Sequence, residues 1–310
     1  AMNKKEYPEN KYLLISEKPA WELLEKWREI SDKLAYYAFR KACNYKAHPN
    51  LAKFEAWVKK QSFSLSHLFP DQKKQDAIHL DLSVNSLWIE NEAAFNDLTY
   101  FQYKIERLQE AHPHKIIAGG YLEPRPLYTS EDYYIPSNQG PISRCVHLGV
   151  DFWLPSKTPV HALLDGTVVM ALDRKGEKEY GGFVILEHSF GNDSFFTLYG
   201  HLDPASIAAH KVGDALKKGT LVGLLGSIEN NGNWAPHLHF QILLDLMDYT
   251  DDFPGVQTYQ SQELWADLCP DPNLMFQLKS LKPQIKSTQT DLLNYRKKHL
   301  GKSLSLQYQK

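Results

Sequence analysis

The sequence predicts an α+β fold, with a helical N-terminal region, an antiparallel β-sheet domain and a short helical tail. Three observations predict it. Apolar and aromatic residues recur at helical spacing over residues 12–60 and 91–111. From residue 115 short β-rich runs alternate with Gly, Pro and Asp turns, the spacing of an antiparallel sheet or a small barrel-like sandwich. From about Gln284 to Leu300 the chain is helix-prone again, and basic. The organisation implied is a helical region over 1–112, a β domain over 113–280, and a tail or linker to a following domain over 281–310.

Taken in order, Ser16 can cap a first helix that Pro19 helps to start, with Trp21, Leu24, Trp27 and Ile30 at helical spacing. A second helix carries Leu34, Tyr37, Ala38 and Ala42, and a third, after Pro49, carries Leu51, Phe54, Trp57 and Val58. Such stripes are packing faces. Residues 78–84 alternate apolar and polar and read as a short strand. The helix over 91–111 presents Phe95, Leu98, Phe101, Ile105 and Leu108 and is stopped by Pro113, with His112 and His114 facing solvent around that proline. The β-rich runs then fall at 116–118, 146–153, 160–164, 167–172, 183–188, 194–199, 221–225 and 237–243. Asp165-Gly166 and Gly219 sit where tight turns are expected, and Cys269-Pro-Asp-Pro closes the β region.

Composition narrows the class. At 310 residues, 43% hydrophobic and 23% charged, the chain is ordinary for a globular protein with a sizeable core. A net charge of −2 gives no reason to expect nucleic acid or an anionic membrane as partner, and no apolar run approaches a membrane span. No apolar stretch follows the first lysines, so no secretory signal is expected. Three widely spaced cysteines do not make a disulfide framework. A reducing compartment, the cytoplasm, is expected. The glycines form neither a dinucleotide fingerprint nor a P-loop.

Two short segments carry the chemistry. Side chains on a strand alternate faces, so in Cys145-Val-His-Leu-Gly-Val-Asp151 the side chains of His147 and Asp151 are expected on one face, with Gly149 between them leaving room for an ion. In Ala235-Pro-His-Leu-His-Phe240, His237 and His239 share a face while Leu238 and Phe240 point into a core. Catalytic zinc is typically held by three protein ligands plus a water, and this set offers one donor more than is needed. Spacing alone leaves open which of His237 and His239 binds. His201, in Thr197-Leu-Tyr-Gly-His-Leu202, is a further candidate, to bind metal or to orient a water. Cys145 reads as a buried thiol beside the site, and His161, His188 and His210, with no partner at ligand spacing, read as structural or exposed.

His147-Leu-Gly-Val-Asp151, Tyr199-Gly-His201-Leu202 and His237-Leu-His239-Phe240, in that order, resemble the signature of the lysostaphin-type zinc metallopeptidases over roughly residues 140–245. The resemblance implies a small antiparallel β-sheet metallopeptidase domain with the metal in a groove, and substrates of the peptidoglycan cross-link or stem-peptide kind. It implies His147, Asp151 and His239 as zinc ligands and His201 and His237 as the catalytic pair. The implied mechanism is attack of a zinc-bound water on a scissile carbonyl, one histidine acting as base and the other holding the oxyanion. Two places depart from the family pattern: residues 228–236 replace a shorter glycine-rich approach, and Gln241 stands where a glutamate is common.

The flanks, Phe253-Pro-Gly-Val256, Cys269-Pro-Asp-Pro-Asn-Leu274 and the end of the chain from Arg296, are similar to a subgroup in which this domain lies between a hydroxylysine-kinase-like and a class III aminotransferase-like domain. The expectation is a zinc hydrolase of amide or peptide bonds, handling a peptide or muropeptide-like substrate in the cytoplasm. The competing readings are a catalytically silent binding or activator module, which would ordinarily lack metal ligands, and a hydrolase of a non-peptide small molecule.

Overall fold

A computed structural model describes residues 32–281, apart from 75, 89–94, 127, 129–132 and 136–140. The helix expected after Ser16 and the helix-prone tail from Gln284 lie outside the described residues. Helix α1 (Lys33–Ala42) begins at Asp32, whose side chain accepts the Ala35 N–H and satisfies a first-turn donor. Helix α2 (Leu51–Val58) buries Leu51, Phe54 and Val58, the stripe its periodicity predicts. A short helix, α3 (Leu65–Leu68), follows Ser64, and strand β1 (Asp76–His79) occupies part of the 78–84 run. Helix α4 (Leu98–Ala111) is capped by Asp97, which accepts the Tyr100 N–H, and buries Phe101 and Ile105.

Strands β2 (Lys115–Gly119), β3 (Tyr134–Ile135), β4 (Ile142–His147), β5 (Val150–Trp153), β6 (Pro159–His161), β7 (Gly166–Arg174), β8 (Gly181–Phe190) and β9 (Asp193–Leu202) come next. Helix α5 (Pro204–Ile207), strands β10 (Ala215–Leu216), β11 (Leu221–Leu224), β12 (His237–Leu243) and β13 (Val256–Thr258), and helices α6 (Gln262–Leu268) and α7 (Asn273–Phe276) complete the described chain. Eight strands form the main sheet in the order β1-β2-β5-β12-β9-β8-β7-β10. Strands β6 and β11 pair separately, and β3, β4 and β13 make a third sheet. The α+β class and the mostly antiparallel pairing are as predicted. The exception is the edge pair β1–β2, which is parallel, because α4 supplies the long crossover that parallel strands require.

One strand divides. Residues 146–153 do not run as a single strand: the chain leaves the ladder at Leu148-Gly149, where the Leu148 N–H bonds to the Gly255 carbonyl. Strand β4 therefore pairs with β13, while β5 enters the main sheet beside β12. His147 and Asp151 do not share a strand face. They are brought together from two sheets.

The faces of the main sheet are sorted by the alternation of β12. Leu238, Phe240 and Ile242 point to the back, where they join Phe152, Tyr199 and Val184 and the helical residues Leu51, Phe54, Val58, Leu65 and Leu68 in one buried cluster. The N-terminal helices and the sheet thus share a core, and removing a ring such as that of Phe54 would cost about 3–5 kcal/mol. His237, His239 and Gln241 occupy the opposite face. There Leu82, Phe101, Ile117, Trp153 and Trp234 form a second cluster, so α4 and the segment after β1 rise beside the site.

Candidate active site

Three ligand atoms, one each from His147, Asp151 and His239, lie within 4.8 Å of one another, and among the described residues this is the one such group. The β5–β12 register sets His239 directly opposite Asp151, and His147 arrives from the end of β4. The Nε2 of His147 stands 2.8 Å from the Nδ1 of His239 and 3.2 Å from the Oδ1 of Asp151; the third edge, Nδ1 to Oδ1, is 3.3 Å.

Protons decide what this triangle is. His147 donates Nδ1–H to the Gly120 carbonyl at 2.9 Å, and His239 donates Nε2–H to the Gln241 side-chain oxygen at 2.8 Å. With those tautomers, assigned from the hydrogen bonds, the two facing nitrogens both carry lone pairs and cannot bond to each other. Among the described residues Asp151 Oδ1 has no hydrogen-bond partner although it is buried. Three converging lone pairs with no proton among them fit a cation. The edges are close to the roughly 3.3 Å of a tetrahedron drawn at zinc bond lengths of about 2.0–2.1 Å, and two His with one carboxylate is a catalytic zinc donor set.

His201 and His237 stand beside the triangle with rings 4.3 Å apart. His237 donates Nδ1–H to the Ala235 carbonyl at 2.7 Å, leaving its Nε2 bare and 3.7 Å from Asp151 Oδ1. His201 donates Nδ1–H to the Asn231 carbonyl at 2.9 Å, which leaves its Nε2 bare as well. Its backbone is left-handed, φ +63°, an uncommon state for a residue with a Cβ, and the Gly226 N–H holds its carbonyl there. The pair and the triangle border one cavity of about 160 Å³, together with Tyr180, Trp153 and Trp234.

Burial and charge set the protonation states. Burial, with Arg125 in the same direction, pushes His147 down to about 3, and burial also lowers His201 and His237. Burial alone would raise Asp151, but it is outweighed: with the Arg125 guanidinium bonded to it, the carboxyl is held well below the usual carboxylate range. These three imidazoles are neutral and the carboxylate is charged, the forms a metal requires.

A shell of residues with no motif of their own orients the donors. Arg125 Nη1 donates to Asp151 Oδ2 at 2.7 Å while its Nε donates to Glu123 at 2.7 Å, so the carboxylate presents its other oxygen to the histidines. Gly120 has φ +105°, and a Cβ there would fall 1.9 Å from Arg125 Nη2. Gln241 Nε2 donates to the Pro254 carbonyl and to Cys269 Sγ, which fixes its oxygen toward His239. Asn231 is braced by two bonds to the backbone of Trp234, so residues 228–236, which replace the shorter glycine-rich approach of the family pattern, also hold His201 in place. Spacing could not reveal these residues, because they act through carbonyls or through other side chains.

Gly149 differs from its expected use. A Cβ on it would lie 2.7 Å from Cε1 and 2.8 Å from Nε2 of His239, so the room it leaves is taken by the His239 ring. Cys145 is buried with Val84 and Val146, outside the ligand group, and burial pushes its thiol up to about 12. His188 is tied to the Asp165 carbonyl and the Thr197 hydroxyl, and His210 donates to the Val222 carbonyl. His114 is exposed and His112 half-buried.

Residues 145–249 match the model of Peptidase family M23, so the chain carries a Peptidase family M23 domain over the stretch that supplies these donors. An uncharacterized metalloprotease of Buchnera aphidicola is 31% identical over 120 residues, 38% of this chain and 29% of its own length. Lysostaphin of Staphylococcus staphylolyticus is 30% identical over 131 residues, 41% of this chain and 25% of its own. The peptidoglycan DD-endopeptidase ShyA of Vibrio cholerae is 33% identical over 112 residues, 35% and 23%. The solved catalytic domain of lysostaphin from Staphylococcus simulans has 30% identity, covers 42% of this chain and 85% of that one, and gives a TM-score of 0.27. This chain spans between 23% and 29% of the length of these three curated relatives.

Proposed function

We propose that the chain is a zinc-dependent hydrolase of amide or peptide bonds, acting on a small peptide of the peptidoglycan or muropeptide kind. The observation that carries this reading is a single one. Four imidazoles each spend one N–H on a fixed acceptor and turn the other nitrogen, bare, toward one cavity that also holds an unpartnered carboxylate oxygen. His147, Asp151 and His239 would hold the ion. When bound, zinc supplies Lewis acidity that polarises a carbonyl and lowers the pKa of water toward neutrality.

His201 and His237 do the proton work in this proposal. Each offers a bare Nε2 as acceptor while its Nδ1–H stays fixed on a backbone carbonyl, so each ring keeps its orientation when it gains a proton. The ring that has accepted a proton becomes a donor, able to hold an oxyanion or to protonate a leaving amine. Trp153, stacked on His237 with centroids 5.7 Å apart, and Tyr180, 5.6 Å from His201, shield both rings from water. Arg125 keeps Asp151 ionised and single-ended.

Action in the cytoplasm is part of the same proposal, supported by three free cysteines. So is membership of a longer chain with kinase-like and aminotransferase-like neighbours, supported by the resemblance of the flanks. Hydrolysis of muropeptides, plain dipeptides and phosphorylated amine conjugates by the zinc-loaded protein tests the reaction class. The expected result is cleavage of a peptide substrate that His201→Ala abolishes without loss of metal. Full turnover in His201→Ala, or cleavage of the non-peptide conjugates alone, would overturn it.

A further inference from the structure

We propose that Lys178 anchors the substrate, its ammonium taking a carboxylate of a short peptide beside His201 and His237. The peptide part rests on the function proposed above; the carboxylate site stands on the surroundings of Lys178. This lysine lies in the β7–β8 connection and lines the same cavity as the histidines, with its side chain only 9% exposed. Its φ is +63°, a left-handed backbone that a side chain with a Cβ adopts at a cost. The position is pinned from both sides: its N–H bonds to the Gly232 carbonyl at 2.8 Å, and its carbonyl accepts the Tyr133 hydroxyl at 2.5 Å.

The ammonium is poorly matched for its burial. It has three donors and, among the described residues, makes one hydrogen bond, to the Asn233 carbonyl at 3.1 Å, while lying 4.2 Å from the centroid of the Trp234 ring. Among the described residues the carboxylate within 4.0 Å is Glu177, at 3.9 Å on a side chain that is 59% exposed, too far for a hydrogen bond. Other cations of the wall are matched: Arg125 by Asp151 and Glu123, and Arg174 by Asp252 at 3.6 Å and Glu179 at 4.0 Å. Burial lowers the Lys178 pKa, as for an ammonium that has lost water without gaining a close anion.

Trp234 links the cation to the reaction. Its ring stands 6.0 Å from that of His201 and 6.1 Å from that of His237, so the ammonium sits within the roughly 7–11 Å that two or three extended residues span. A carboxylate held at Lys178 would thus place a peptide bond at the histidines two or three residues away.

Binding to zinc-loaded His201→Ala protein tests this without turnover, using Trp fluorescence and calorimetry with trialanine, trialanine amide and alanyl-glutamyl-alanine amide. Trialanine is expected to bind at least about tenfold tighter than its amide, the factor expected of one charge-assisted contact. The preference should vanish in Lys178→Met and persist in Lys178→Arg, with zinc content and melting temperature unchanged in both. Tight binding of the glutamyl amide would identify a side-chain carboxylate as the anchor, and its weak binding a C-terminal one. Equal affinity for acid and amide, a preference surviving Lys178→Met, or no binding by any of the three would overturn the assignment. An acid preference without hydrolysis by the wild type would instead refute the peptidase function and leave the carboxylate site standing.

Discussion

Gly149→Ala should disable the metal centre without touching a ligand. The new Cβ would meet His239 Cε1 at 2.7 Å, His239 Nε2 at 2.8 Å and the Phe240 carbonyl oxygen at 2.8 Å. Carbon contacts settle near 3.5–4.0 Å, so the ring must retreat by roughly 0.8 Å or more. Metal ligands tolerate about 0.2 Å. The ring cannot tilt freely either, because Nε2–H is tied to Gln241. Zinc affinity should fall by at least the 10–100-fold typical of a disturbed supporting shell, about 1.4–2.8 kcal/mol, and overpacking should cost the fold a further 1–3 kcal/mol or about that. Competition with a chelating dye measures the first and urea denaturation of metal-free protein the second. Gly219→Ala is the control: its Cβ meets nothing within 4 Å but its φ is +81°, so it should lose stability and keep zinc affinity. Wild-type zinc affinity in Gly149→Ala would refute the packing assigned to this glycine.

Other outcomes follow from the supporting residues. Gln241→Met removes the acceptor for His239 and should weaken zinc binding about 10–100-fold in the same competition assay. Gln241→Glu keeps an acceptor but turns a carboxylate oxygen toward the Pro254 carbonyl, so zinc affinity should hold while urea denaturation shows a loss of about 1–3 kcal/mol. Burial, opposed by Arg125, raises Glu123 to about 7. A raised folded-state pKa means that the contribution of Glu123 to stability is complete below its unfolded pKa of about 4.3 and is lost as pH rises through about 7. Wild type should therefore lose stability relative to Glu123→Gln between pH 4.5 and 7.5 or about there, by no more than about 1.4 kcal/mol per pH unit. A difference that grows in the opposite direction would contradict that assignment.

Period-2 patterning was enough to set Leu238 and Phe240 in a core and His237 and His239 on the other face, because β12 is buried on both sides and its register is tightly specified. The same rule failed at 146–153. There a backbone bond to Gly255, remote in sequence, pulls the chain into a second sheet, and no local pattern encodes that partner. The helical stripes of α2 and α4 were legible as faces, but not the face of the sheet each would cover. His201 was a candidate in its own segment, but its separation from the ligand set required a family signature, since it stands there alone. Arg125, Glu123 and Asn231 were illegible as site residues because each acts through another side chain or through its backbone, and Gln241 was visible only as a departure from the family pattern. Lys178 likewise carries no signal in sequence: its meaning lies in a buried ammonium whose one carboxylate within 4.0 Å among the described residues, Glu177, is too far for a hydrogen bond.

The most direct measurement is metal stoichiometry on protein purified without chelator. The wild type is predicted to carry about one zinc per chain, as three protein ligands at one point require, with His201→Ala and His237→Ala equal to it. His147→Ala, Asp151→Ala and His239→Ala are each predicted to be nearly metal-free while still folded. A metal-free wild type that also fails to take up added zinc, or full occupancy in a variant lacking any of the three donors, would contradict the site.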